Sequence, residues 1–370
     1  FVEYVNGPIS SKWGALRAAD GHPQPYNLKY IQVDNERGIS RGYVECMKKF
    51  AKAAWEADPN MSIMTSLNIG GNGYKRGGTE QQKQEIARLR TQLTELEQAP
   101  SGKEREIRRM QQQIRQQEEN LGRQYELSSE LAGWFVAQGK GDKLAWDPHY
   151  SGAREFADRG DAFLNEMGIN LQRELAKDYP GFKLNLHPME ENGSRCDWDR
   201  GLAHAHNWNT LQRYGDCFQM LGTANTFQPH GLQYMWDQGR IHYTPDAIWF
   251  QPSAHIDEMM MKTWKPNVVQ SSSSDQSLDV TAKINDAKTE MTIYVANMSD
   301  QPQAAILNIE NFRFGSRAEV QTIGNCELTE YNTYENKDNV VFKSSKASIA
   351  RKNAKYVFPK YSYTVITLKK

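Results

Sequence analysis

The feature that most constrains this chain is a change of period partway along it. Up to about residue 268, short β-prone runs alternate with amphipathic helical stretches; beyond it only short strands separated by turn signals can be read. Alternating strands and helices pack as a parallel sheet covered by helices, because a parallel connection must cross back over the sheet. A run of short strands without helices closes instead as an antiparallel β-sandwich. The fold class expected is therefore α/β plus all-β.

In the first region the strand candidates are Tyr30–Asn35, Met61–Leu67, Lys143–Trp146, Phe182–Leu186 and Cys217–Leu221. Helices are expected over Gly42–Glu56, Gly160–Lys177 and Asp199–Tyr214. In the second they are Thr281–Ile284, Glu290–Asn297, Gln303–Ile309, Ala318–Ile323, Asn339–Lys343 and Tyr361–Leu368. A Gln/Glu/Arg-rich segment, 79–131, interrupts the alternation. Ile86, Leu89, Leu93 and Leu96 recur at helical spacing, Ala99-Pro100-Ser101-Gly102 breaks the pattern, and Ile107, Met110, Ile114 and Leu121 resume it. Two apolar seams around a Pro-Gly break predict an antiparallel helical hairpin.

Composition excludes several classes. Lys+Arg and Asp+Glu are both 45, without the basic excess of a nucleic-acid binder. No apolar run approaches the ~20 residues that span a bilayer. Cys46, Cys196, Cys217 and Cys326 are too scattered for a zinc ribbon or a disulfide scaffold. Gly70–Gly78 fits no phosphate-loop pattern, no G-x-S-x-G elbow occurs, and His204 and His206 diverge on a helix. No metal and no cofactor are expected.

Two carboxylates follow predicted parallel strands. Glu36 ends YIQVDNE, and Glu190 lies in LNLHPMEEN. Acidic groups on two strand ends suit glycoside hydrolysis, in which one acts as acid and the other as nucleophile or base. Strand alternation puts Leu184, Leu186, Pro188 and Glu190 on one face, which favours Glu190 over the adjacent Glu191.

The flanking residues carry a specific resemblance. Residues 1–36 contain Glu3-Tyr4, Asn6-Gly7-Pro8, Gly14, Arg17-Ala18, Gly21-His22-Pro23, Pro25-Tyr26, Lys29-Tyr30 and Asn35-Glu36. This pattern resembles the α-L-arabinofuranosidases of glycoside hydrolase family 51. Trp236-Asp237-Gln238, Tyr243-Thr244-Pro245, Asp338-Asn339-Val340-Val341 and Phe358-Pro359-Lys360-Tyr361-Ser362 extend it to the C-terminal region, while 79–131 is foreign to it. The resemblance implies a (β/α)8 TIM-type barrel whose first strands have no counterpart here. The expected domains are 1–268, a partial catalytic barrel with 79–131 inserted as a coiled-coil hairpin, and 269–370, a C-terminal β-sandwich.

It also implies roles. Glu36 would be the general acid/base and Asn35 a hydrogen-bond partner of the sugar 2-hydroxyl. Aligned on Asn192, Glu190 takes the nucleophile position, with Glu191 as the alternative. His149 and Tyr150 would line the sugar pocket, and Gln238 would contact the furanose; Trp236 is either a pocket wall or a core residue. Two departures stand out. Asp34 replaces the glycine usual before the Asn, and the usual His-x-Tyr reads His149-Tyr150-Ser151. The Asp34 carboxylate either perturbs Glu36 or points away.

The expected function is a retaining glycoside hydrolase that releases terminal α-L-arabinofuranosyl residues from plant polysaccharide or oligosaccharides. The alternatives are a non-catalytic carbohydrate-binding scaffold assembling through the hairpin, or a related retaining glycosidase for another sugar. The expected partner is an arabinofuranoside, with no nucleic acid and no membrane. The absent barrel strands belong either to a longer protein of which this chain is part or to a second chain, and a homo-oligomer is the other partner expected. The compartment expected is secreted or periplasmic ahead of cytoplasmic.

Overall fold

The structure, a computed structural model, describes residues 1–67, 76–98, 102–151, 169–183, 185–193, 195–231, 237–350 and 354–370. It divides into two compact units. The first comprises 1–149 and 161–188, the second 150–160 and 189–370.

The first unit begins with two short helices, α1 (Val2–Asn6) and α2 (Lys12–Ala19). Most of the family-like residues here are braces. The Arg17 side chain is fully buried and donates to the carbonyls of Tyr4, Gly7, His22 and Pro23. Asn6 bonds both the N–H and the carbonyl of Leu28 and reaches Asp58. Gly14 lies so close to the Pro8 carbonyl that a Cβ would sit 2.0 Å from its oxygen.

Three parallel strands follow: β1 (Tyr30–Arg37), β2 (Ser62–Leu67) and β3 (Leu144–Trp146), in that order across the sheet. A further parallel bridge joins Trp146 to Leu186. The expected strand 182–186 reduces to this contact, with the Trp146 N–H donating to the Asn185 carbonyl and the His187 N–H to that of Trp146. In-register neighbours share a face. Ile63, Leu144, Trp146 and Leu186 on one face are fully buried. The other face adds polar groups to the buried Met64 and Ala145: Gln32 reaches Asp147, and Tyr30 meets His187 edge-on at 4.7 Å. Helix α3 (Arg41–Ala57) is capped by Ser40 and buries Val44, Met47, Ala51 and Ala54 at 3-4-3 spacing.

The Gln-rich segment forms α4 (Glu80–Glu97) and α5 (Glu104–Asn120), paired so that Arg90 meets Glu118 and Gln111 meets Glu97. A Thr79–Gln82 capping box starts α4. Ile86, Leu89 and Ile114 of the apolar seam are buried, while Leu93, Leu96, Ile107 and Met110 are half-buried. The apolar period does not simply run on to 131. Gly122, at φ +74° and with a would-be Cβ 3.1 Å from Gly77, turns the chain into a separate helix, α6 (Arg123–Ala137). Its Trp134 and Phe135 pack on Trp55 of α3. The last described helix of this unit is Ile169–Asp178; the start of the expected helix 160–177 lies outside the described residues.

The second unit centres on a six-stranded antiparallel sheet formed by Asn267–Val269, Leu278–Ile284, Glu290–Asn297, Arg317–Ile323, Lys343–Ser348 and Ser362–Lys369. Glu290–Asn297 and Ser362–Lys369 pair along their whole length and are buried on both faces. Met291, Ile293, Val295, Ile366 and Leu368 face a core shared with Ala354 and Phe358 of the two-stranded ladder Gln303–Leu307/Ala354–Phe358. Tyr294, Ala296, Tyr363 and Val365 face the helices Trp198–Arg213 and Pro252–Thr263.

Two strand expectations are corrected here. Cys217–Leu221 opens as a turn, with the N–H groups of Cys217 and Phe218 both donating to the Tyr214 carbonyl. Asn339–Phe342 is no strand because the Asn332 side chain takes both backbone groups of Val340; the ladder starts at Lys343. A small sheet of Phe227–Pro229, Ile241–Tyr243 and Ile248–Phe250 completes the described strands apart from the short pair Tyr150–Ser151/Glu191–Asn192.

Candidate active site

In the first unit the C-terminal end of β1 is irregular. Val33 pairs with Thr65 but Arg37 with Leu67, and both Asp34 (φ +68°) and Glu36 (φ +48°) adopt left-handed backbone. Aspartate tolerates that conformation through a local hydrogen bond, here from the Asn35 N–H to Asp34 Oδ1 at 2.8 Å. The other Asp34 oxygen meets Arg37 Nε at 2.9 Å. These contacts, the Asn35 N–H foremost, hold the Asp34 carboxyl below its ordinary value. Asp34 is thus committed to Asn35 and Arg37.

Glu36 is exposed, and its Oε1 lies 3.1 Å from Nδ1 of His149. The opposite nitrogen of that ring lies 3.0 Å from Oδ2 of the fully buried Asp147, which also accepts from Gln32 Nε2 at 2.9 Å. Asn35 is exposed beside Glu36. Glu36, Asn35 and His149 are therefore brought together. Asp147 and Gln32 were missed in the sequence, although Asp147 and His149 continue one strand face at i, i+2. Nearby His187 is buried with neither ring nitrogen hydrogen-bonded, and burial pushes its pKa down to about 4.

The second unit carries Glu190, Glu191 and Gln238. Glu190 is half-buried and Glu191 fully buried. Arg200 grips Glu191 bidentately at 2.8 Å on both oxygens. Arg240 Nη2 approaches at 2.5 Å, His204 Nδ1 at 2.8 Å and Asn207 Nδ2 at 3.0 Å. His204 and Arg240 in turn meet Asp257. Burial alone would raise the Glu191 carboxyl; the Arg200 charge and His204 overcome it and hold it well below the usual range. The Asp257 carboxyl, pushed up by burial but pulled down by Arg240, settles at about 2. The signal in the sequence was Arg200 and His204 at i, i+4 on one helix face. His206 faces Asp279 instead.

Gln238 is buried, and its Oε1 accepts from the Gly193 N–H at 2.7 Å. Tyr150 pairs with Glu191 in a short parallel ladder. Trp236 lies outside the described residues.

Cys196, Asp237 and His242 offer ligand atoms within 4.8 Å of one another. The Gln251 amide is oriented by the Asn332 backbone, donating to its carbonyl at 2.8 Å and accepting from its N–H at 3.0 Å. The same amide nitrogen faces His242 Nδ1 at 3.2 Å, which leaves the ring proton on Nε2, the atom turned toward Asp237. Burial also pushes the Cys196 thiol up to about 12.

Comparisons with known proteins point to one group of enzymes. A family model described as α-L-arabinofuranosidase 1 domain matches residues 1–99, and one described as α-L-arabinofuranosidase C-terminal domain matches 184–362. An extracellular exo-α-L-arabinofuranosidase from Streptomyces chartreusis is 38% identical over 66 residues, 18% of this chain and 8% of that protein. α-L-Arabinofuranosidase 2 from Arabidopsis thaliana is 37% identical over 67 residues, 18% of this chain and 10% of that protein. The aligned stretch thus spans about a tenth of these curated relatives. The crystal structure of an arabinofuranosidase from Thermotoga maritima in complex with arabinose has a TM-score of 0.69 at 16% identity, covering all of this chain and 72% of that one. The family 51 enzyme from Thermotoga petrophila gives the same values. These structures share the fold. Two separate stretches of the chain thus match α-L-arabinofuranosidase domains, and the likeness to the family 51 enzyme is one of fold.

Proposed function

We propose that the protein is a retaining α-L-arabinofuranosidase acting on terminal arabinofuranosyl groups of plant polysaccharide or oligosaccharides. The observation that carries this reading is the Asn35-Glu36 pair at the C-terminal end of a parallel strand, inside the stretch matched to the arabinofuranosidase domain. Parallel strands with active groups at their C-terminal ends support a (β/α)8 barrel over 1–268, with 79–131 inserted and 269–370 as a β-sandwich. No described helix is long and apolar enough to cross a membrane, and an extracellular relative supports an exported protein.

Glu36 protonates the departing glycosidic oxygen while Glu190 attacks the anomeric carbon. Glu36 then takes a proton from water, which releases arabinose. Glu190 serves as nucleophile rather than Glu191, because both Glu191 oxygens are bound by buried donors. Asn35 and His149 contact the sugar side of Glu36. Gln238, whose carbonyl braces Gly193, contacts the furanose through its amide nitrogen. Family resemblance gives Tyr150 a role in the sugar pocket and leaves Trp236 as either a pocket wall or a core residue. A non-catalytic scaffold is disfavoured, since the matched domains are those of α-L-arabinofuranosidases.

Hydrolysis of an aryl α-L-arabinofuranoside followed by proton NMR tests this reading. The first sugar released should keep the α configuration; β-arabinofuranose as first product, or no hydrolysis by folded protein, would overturn it.

A further inference from the structure

The small three-stranded sheet of the second unit turns an apolar face to solvent. Its strands pair so that Phe227, Ile241 and Phe250 form one row and Pro229, Tyr243 and Ile248 the next. In-register neighbours share a face. None of the six is charged. Phe227 and Ile248 are 61% and 60% exposed, and Tyr243 and Phe250 are exposed beside them. The solvated face of such a sheet is normally polar. Single exposed apolar residues need no explanation, but a contiguous set on one face does.

The reverse face is anchored. Gln228, His242 and Trp249 are buried there. Gln228 donates to Asp237 at 2.6 Å and accepts from the Gly239 N–H at 2.7 Å, and Trp249 Nε1 donates to the Asn332 carbonyl at 3.1 Å. The rings of His230, His242 and Tyr334 pack edge-on or tilted against Trp249. The exposed face is therefore held in place before any ligand arrives, which lowers the ordering cost of binding. Its place in the chain ties it to the sugar site. The Glu191 N–H donates to the Gly222 carbonyl and Glu191 bridges in parallel to Thr223, so residues 222–223 run beside the segment that carries Glu190. The small sheet starts just beyond the C-terminal end of that neighbour, the end at which parallel strands present their active groups. The connection between Pro229 and Ile241 carries Gln238, which braces Gly193.

Size and charge select the occupant. Two rows across three strands cover about 10 Å by 7 Å of backbone, far less than the roughly 800 Å² that each partner gives a standard protein interface. A second copy of the chain is therefore a poor fit, and a few sugar rings are a good one. The face is uncharged, which suits a neutral ligand. A pyranose ring presents a flat face of C–H groups, and these settle on the electron-rich faces of aromatic rings. We propose that this face binds the neutral pyranose backbone of an arabinoxylan, stacked on Phe227, Tyr243 and Phe250 with Ile248 beside them. This rests on the reading of the protein as an arabinofuranosidase and extends it to a preference for polymer over small glycosides.

Native gels containing soluble arabinoxylan test the binding without relying on turnover. The parent should be retarded. Phe227→Ala should raise the apparent dissociation constant about tenfold, the loss expected for one covered phenyl ring. Ile248→Trp should lower it, a gain that misfolding cannot produce. Hydrolysis of p-nitrophenyl α-L-arabinofuranoside should be unchanged in both variants, while kcat/KM on arabinoxylan falls in the first and rises in the second. An unretarded parent, or variants retarded as much as the parent, would overturn the inference. So would a parent dimer in sedimentation velocity that Phe227→Ala dissociates, since the face would then belong to a second copy. The two readings fail separately. Retardation that responds to both variants, without hydrolysis of either substrate, keeps the platform and removes the arabinofuranosidase reading; hydrolysis without retardation does the reverse.

Discussion

His149 Nδ1 stands 3.1 Å from Glu36 Oε1, although the two residues are 113 positions apart in the chain. The contact joins the C-terminal end of β1 to the segment that follows β3. It gives Glu36, an otherwise exposed side chain, a fixed partner within the first unit.

The adjacent glutamates should separate by what their loss does. Glu191→Gln leaves Arg200 and Arg240 facing a neutral amide in a buried site. It should cost about 3–5 kcal/mol of stability, read as a lowered urea midpoint. Glu190→Gln should shift the midpoint by under about 1 kcal/mol while abolishing hydrolysis.

Asp34 should tolerate glycine and little else. Its φ of +68° costs most L-residues about 1–2 kcal/mol. Asp34→Val should lose stability of that order in chemical denaturation. Asp34→Gly should stay within about 1 kcal/mol of the parent, because relief of strain offsets the exposed ion pair with Arg37 and the freer unfolded chain.

His187 should make stability depend on acidity. Its folded pKa of about 4 lies below the unfolded value of roughly 6.5. Between these values the unfolded chain binds the extra proton. The contribution is therefore complete above about pH 6.5 and lost as pH falls toward 4, on the order of 2–3 kcal/mol. A His187→Phe variant should show a flatter stability profile over that window; the same slope as the parent would contradict this.

The hairpin should depend on its seam. Leu89 is buried while the Arg90–Glu118 pair is exposed. Leu89→Ala should loosen amide-exchange protection across 80–120 by about 2–4 kcal/mol, whereas Glu118→Ala should change it by less than about 1 kcal/mol.

What the sequence disclosed follows from the range of the physics. Helix α3 was legible to within a residue at either end because its period and its Ser40 cap are local. Glu36 was legible because it ends a β-prone run. The i, i+4 pair Arg200 and His204 hints at the Glu191 cage, but Arg240 joins it from 49 positions away, and no local pattern announces that convergence. Asn339–Phe342 misled because apolar alternation cannot reveal that Asn332 takes Val340's backbone bonds. Asp34 could be flagged as an unusual residue, but only its φ and its bond to the Asn35 N–H show where its carboxylate goes.

The central claim is that Glu36 and Glu190 form a retaining pair. It is tested most directly by p-nitrophenyl α-L-arabinofuranoside hydrolysis in Glu190→Gln and Glu36→Ala with and without azide. The account predicts no turnover in the first. In the second it predicts slow turnover that azide accelerates, with β-free, α-configured arabinofuranosyl azide as product. Undiminished hydrolysis by Glu190→Gln, or a Glu36→Ala variant indistinguishable from the parent, would contradict it.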